Sequence, residues 1–187
     1  MPSPLKNELP AHIIVMLENL DAPPRLIAHL QLVHDGAVQL TEGLDESFPN
    51  LNYNREEVLI GAATHDIGKI IYPDELTQSG DQHENAGVGL LIQQGFTDDQ
   101  ARFARTHGKW QTTEQLDDLL VTLADKIWKG ARVEALEMNV TEQIARQCQQ
   151  EARGFTGECA PSTADGNHFG IAGFDDRCGS DAGPWLA

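Results

Sequence analysis

The stretch Gly61-Ala-Ala-Thr-His-Asp-Ile-Gly-Lys-Ile-Ile71 decides how this chain is read. Leu59, Ala62, Ala63, Ile67, Ile70 and Ile71 surround His65 and Asp66 with apolar side chains at helical spacing, which predicts a core-facing helix over Arg55 to Ile71. Tyr72-Pro73 ends it, because the residue before a proline avoids helical geometry. A carboxylate in such a helix is at least partly buried. Left unpaired it would cost several kcal/mol, a good part of a domain's net stability. Something positive must meet Asp66. A divalent cation is the economical candidate, since neutral imidazole and carboxylate together suit Mn, Fe, Co, Ni or Zn, and a carboxylate can bridge two ions.

Outward from this stretch the apolar spacing stays helical, and no segment alternates with period two over strand length. The expected fold is all-α, with about five to seven helices. The first is predicted from Arg25 to about Leu40, after Asp21-Ala22-Pro23-Pro24, since proline is tolerated in a first turn. A polar loop is predicted over Asp45 to Asn54. Past a loop over Tyr72 to Gln82, a helix over His83 to about Gln94 closes at Gly95. Thr97-Asp-Asp-Gln100 is a capping-box pattern that opens another, carrying Phe103, Ala104 and His107. Thr113 to Gly130 and about Arg132 to Arg153 complete the set. From Gly154 on, the chain is rich in glycine and holds only Ile171 and Leu186 of the branched aliphatics. It therefore reads as a domain over 1–153 and an irregular, loosely attached tail over 154–187.

With 29 acidic against 13 basic side chains the formal net charge is -16, which disfavours broad binding to duplex nucleic acid or an anionic membrane. A small anionic substrate remains compatible, because bound cations reverse the local sign of a pocket. No apolar run approaches the ~20 residues of a membrane span, and the N-terminus lacks the organisation of a signal peptide, so a cytoplasmic protein is expected. The three cysteines show no metal-ligand spacing. Asp117-Asp118 reads as a solvated helix face.

Other polar residues repeat the anomaly of the doublet. Asp125 lies in Leu119-Leu-Val-Thr-Leu-Ala-Asp-Lys-Ile-Trp128, an acid in an apolar helical run. His29 and His34 sit at opposite edges of the inward stripe of their helix, and the helical wheel alone does not choose between them. His83 begins one helix and His107 nearly ends another. His12 and His168 read as surface residues. Trp110 and Trp128 read as core or rim aromatics, either of which could stack on a nucleobase.

Taken in order, His29 in Arg-Leu-Ile-Ala-His-Leu-Gln-Leu-Val, the doublet in His65-Asp-Ile-Gly-Lys69 and Asp125 in Ala-Asp-Lys-Ile resemble the HD-domain superfamily of metal-dependent phosphohydrolases. The resemblance covers about Arg25 to Arg132. The register of Val33 and Ala37 after His29 matches the family's first helix and favours His29 over His34. His83 in Gln-His-Glu-Asn-Ala-Gly and His107 in Thr-His-Gly-Lys look like the extra ligands of the family's two-metal branch. The Gly-Tyr-Pro extension of cyclic-di-GMP-degrading members is absent.

The resemblance implies an HD-domain helical bundle in which His29, His65, Asp66 and Asp125 hold one divalent ion, while His83 and His107 hold a second bridged by Asp66. The ions would be Fe, Mn, Co or Ni, with Mg or Zn also compatible. Such a pair activates water for attack on a phosphoester or phosphoanhydride. Asp66 and Lys69 are the expected catalytic residues, and Lys69 is also the expected phosphate-binding cation, with Arg25, Lys109 and Lys126 as further substrate-binding candidates. The expected partner is a small phosphorylated molecule such as a nucleotide, handled by a monomer or homodimer. The resemblance equally admits a di-iron oxygenase with the same six ligands, or a non-catalytic metal-containing regulatory module.

Overall fold

The computed structural model describes residues 7–155. Among these residues there is no strand. The α-helices are α1 (Ala11–Asn19), α2 (Pro24–Ser47), α3 (Arg55–Thr64), α4 (Gln82–Gln93), α5 (Asp98–Ala101), α6 (Phe103–Thr106), α7 (Leu116–Trp128) and α8 (Glu134–Phe155). Short 3₁₀ turns occupy Ile67–Ile70, Pro73–Leu76 and Trp110–Thr112. Only Arg102, itself helical at φ -55 and ψ -34, separates α5 from α6, so the two form one bent segment and the bundle counts seven helices.

Local chemistry sets most of the boundaries. Thr97 and Gln100 close the expected capping box reciprocally at the start of α5. Asn54 caps α3 by accepting from the Glu57 N–H. Gly95 and Gly130 adopt φ of +89 and +62 just beyond α4 and α7, conformations that a side chain would strain.

α2, α3 and α7 pack against one another, and α4 lies on the turn Ile67–Ile70 and on α5 and α6. Ala37, Ala62 and Ala124 are fully buried in one apolar cluster with Val33, and their small side chains allow α2, α3 and α7 to approach closely. A second cluster joins Leu44, Val58, Phe103, Leu120 and Val121 to Leu136 and Val140 of α8. The third joins α1 to the rest through Ile13, Met16, Leu17, Leu26, Leu30, Ile67 and Leu91.

Three expectations are corrected here. The first helix is not the one after Asp21. α1 precedes it, because Leu9, Ile13, Met16 and Leu17 recur on one face and find Leu26 and Leu30 to cover. α2 runs on to Ser47, into the predicted loop, since Leu44 is buried in the second cluster and Thr41 Oγ1 donates back to the Ala37 and Val38 carbonyls. The helix expected over Arg55–Ile71 is not continuous. It ends at Thr64, Asp66 turns out of helical geometry at φ -102 and ψ 9, and the chain tightens into a 3₁₀ turn.

That tightening places Gly68 directly against α4. A Cβ on Gly68 would lie 1.9 Å from the His83 carbonyl oxygen and 2.7 Å from the Gly87 nitrogen, so only a glycine admits this backbone contact. α8 ends at Phe155, slightly past its expected end. The expected tail and His168 lie outside the described residues.

Candidate metal centre

Five elements bring in the six polar residues of the site, and Asp66 stands at the middle. α2 supplies His29, the end of α3 supplies His65 and Asp66, α4 supplies His83, the end of α6 supplies His107 and α7 supplies Asp125. Asp66 and Asp125 are each 2% exposed and His65 is fully buried. His34 is buried too, but it joins neither group of ligand atoms.

The two carboxylate oxygens of Asp66 face opposite pairs of imidazoles. Oδ2 lies 3.0 Å from His29 Nε2 and 3.6 Å from His65 Nε2. Oδ1 lies 3.2 Å from His83 Nε2 and 3.3 Å from His107 Nε2. His29, His65 and Asp66 form one set of ligand atoms within 4.8 Å of one another; Asp66, His83 and His107 form the other. Asp125 Oδ1 completes the first side, 3.5 Å from His29 Nε2 and 3.7 Å from His65 Nε2.

The outward ring nitrogens reveal the tautomers. His65 Nδ1 is 3.0 Å from the Ala62 carbonyl, and His107 Nδ1 is 3.1 Å from the Phe103 carbonyl. A carbonyl only accepts, so both Nδ1 atoms carry a proton, and in the neutral rings both Nε2 atoms turn a lone pair toward Asp66. His83 Nδ1 is bound by the Glu75 carboxylate, which also accepts from the Gln82 and His83 N–H groups at 3.1 Å.

Asp66 Oδ1, Asp125 Oδ1 and His83 Nε2 are buried and have no hydrogen-bond partner among the described residues. Lone pairs of nitrogen and carboxylate oxygen converging without a proton between them repel one another. A cation between them removes the conflict, so the residues fit divalent metal. Burial alone would raise the Asp66 carboxyl, but His65, His107, His29 and His83, where they present a proton or charge to it, outweigh burial and hold Asp66 well below the usual carboxylate range; with their Nε2 lone pairs free instead, a cation takes over that role. Burial opposes ionisation of Asp125 as well, and His65 and Lys129 overcome it. His65 is pushed down by burial, against the pull of Asp66 and Asp125, and is therefore neutral and ready to ligate.

The cations fall into two groups. Lys69 Nζ lies 2.6 Å from Asp66 Oδ2 and, with Arg25, lines a cavity of about 390 Å³ that opens onto His29 and Asp66. Lys129, which sequence reasoning missed, lines the same cavity with its Nζ 2.8 Å from Asp125 Oδ2. Lys126 Nζ reaches Asp125 Oδ2 at 3.2 Å without lining the cavity. Lys109 also lies outside the lining and pairs with buried Glu84 at 2.7 Å, linking the segment after His107 to the helix of His83. Glu75 was missed as well, hidden in a loop with no motif. Asp118 corrects a further expectation: it is 2% exposed rather than solvated, and accepts from Thr106 and Thr113 hydroxyls at 3.0 and 2.9 Å beneath the segment that carries His107.

The family described as HD domain matches residues 26–129, more than half of the chain. The chain belongs to the HD-domain family. No curated protein and no solved structure is matched by it. Among the described residues no helix is long and apolar enough to cross a membrane.

Proposed function

We propose that the protein is a metal-dependent phosphohydrolase that releases phosphate from a small phosphorylated molecule. The observation that carries this reading is the division of Asp66, with one carboxylate oxygen turned to His29 and His65 and the other to His83 and His107. Membership in a family made up mostly of metal-dependent phosphohydrolases supports it. In this reading His29, His65, Asp66 and Asp125 hold one ion, and Asp66, His83 and His107 hold a second. Two divalent ions supply Lewis acidity toward the phosphoryl group and lower the pKa of the attacking water.

The chain's own residues do the rest. Asp66 and Asp125 enter ionised and His65 enters neutral, so these three need not lose a proton at neutral pH, whereas His83, raised against the effect of burial by its contacts with Asp66 and Glu75, gives one up on binding the ion. At the cavity wall Lys69 binds phosphate oxygens as a point charge and Arg25 through its planar fork of N–H donors, and both offset the -16 of the whole chain locally. Water oxygen joins phosphorus, the ester P–O bond breaks, and one water proton ends on the released alcohol.

The test is reconstitution of metal-stripped protein with Mn or Co under anaerobic conditions, followed by phosphate release from a panel of monoesters and anhydrides. Release without oxygen supports hydrolysis. Strict dependence on oxygen with iron would overturn it in favour of oxidative cleavage, which uses similar ligands. Asp66→Ala is expected to lower turnover by more than about a hundredfold while helical content survives, as losing a central electrostatic element should. An Asp66→Ala variant that retained both metal and turnover would remove the basis of the reading.

A further inference from the structure

The cavity beside the first metal-ligand set has two chemically different walls. Arg25, Lys69 and Lys129 are cationic, whereas Leu32, Leu76 and Trp128 are apolar. Three elements build it. Arg25, Ala28, His29 and Leu32 follow one another at helical spacing on α2, Leu76 comes from the turn Pro73–Leu76, and Trp128 and Lys129 stand at the end of α7.

Trp128 is the anomaly among them. It is 40% exposed, and its ring centroid lies 5.8 Å from that of His29 at an interplanar angle of 57°. One part of the indole therefore packs by a ligand residue while another faces the cavity. Indole stacks readily on a flat ring, and its large apolar face is poorly used when left in water. The volume of about 390 Å³ sits near the small end of ligand cavities, which run from ~300 to ~1,000 Å³. It suits one phosphoryl group and one ring system, and not a dinucleotide.

We propose that Trp128, flanked by Leu32 and Leu76, is the subsite for the organic half of a phosphate monoester that carries a single planar ring system, with Arg25, Lys69 and Lys129 gathering its phosphate. The proposal rests on the phosphohydrolase reading for the identity of the anion. It adds the class of the organic group and the residue that selects it. Trp128 acts here by recognition, and a substrate lacking a planar ring loses this contact only.

Calorimetric titration of the Mn-loaded full chain with benzylphosphonate and with methylphosphonate tests it. Both probes carry the phosphoryl dianion on a carbon that hydrolysis does not cleave, and only one carries a ring. The wild-type protein is expected to prefer benzylphosphonate by about tenfold, the scale of one stacked ring. Trp128→Phe is expected to keep most of that ratio. Trp128→Leu, which stays apolar but cannot stack, is expected to lose most of it. Equal binding of the two probes by wild type, or a ratio that Trp128→Leu leaves unmoved, would overturn the proposal. A preserved preference without phosphate release from phenyl phosphate would sink the hydrolase reading and leave the subsite standing.

Discussion

Glu75 is the side chain on which the His83 side of the centre turns. Its carboxylate accepts hydrogen bonds from His83 Nδ1–H and from two backbone N–H groups, which fixes the imidazole with Nε2 toward Asp66 Oδ1. Burial would raise Glu75, yet its bonds to His83 and to the Gln82 and His83 N–H groups hold it below the ordinary glutamate range. Glu75→Gln removes that charge without removing the bulk. Affinity for the ion beside His83 and His107 is expected to fall about 10–100-fold, with the other ion retained, in a metal titration of stripped protein. His34 behaves differently, since burial lowers its pKa from 6.5. The unfolded chain then binds more protons than the folded one just below 6.5, so stability is complete above that pH and declines as pH falls through the interval beneath it. His34→Leu is expected to flatten this decline in urea denaturation series at pH 7.5 and 5.5. Both histidines show how far the sequence could be read. The family resemblance picked out His29, His65, Asp66, His83, His107 and Asp125, and folding gathers all six around one point. Glu75 and Lys129 carried no such signal, because an acid in a polar loop and a lysine at a helix end are ordinary until the fold gives them partners.

At the level of elements, the decisive join is between the turn Ile67–Ile70 and α4. Gly68 meets the His83 carbonyl, and Gly87 faces Gly68 from α4, where an added Cβ would meet the Ala104 methyl at 3.0 Å. Gly68→Ala is therefore expected to push α4 outward and to weaken the ion held by His83 and His107 far more than the ion held by His29 and Asp125. For the two-ion centre proposed above, metal stoichiometry by elemental analysis would drop from two toward one; an unchanged stoichiometry would refute the argument. The sequence showed a glycine after the doublet but not what pressed against it. Helices α4, α5 and α7 were legible from caps and apolar spacing, whereas α1 was overlooked. Its β-branched run Ile13-Ile14-Val15 is a weak helix former and Pro10 offers no side-chain cap, so only its packing on Leu26 and Leu30 sustains it. The break in α3 escaped for a related reason: apolar spacing looks the same through a short 3₁₀ turn as through one more turn of α-helix.

For the molecule as a whole, the proposed metal ligands come from α2, α3, α4, α6 and α7, so in that reading occupancy and folding are linked. At free metal about 100-fold above its dissociation constant, one bound ion adds ~2.7 kcal/mol. In a chain of this size that raises the unfolding midpoint by roughly 5–10 °C. Thermal scans with and without Mn are expected to show this rise in the wild-type protein and not in Asp66→Ala. The crowding of 29 acidic residues makes the surface repulsive to other anions, while the cavity beside His29 stays locally cationic. The order of the ligands along the chain has a temporal meaning as well. His83 and His107 can meet Asp66 once α6 exists, but Asp125 arrives only with α7. During synthesis, the nascent chain thus completes one half of the centre before the other, and its last ligand waits on the longest loop closure. Capture of the proposed ion at the His29 side accordingly has to wait until the chain as far as α7 has been made and folded.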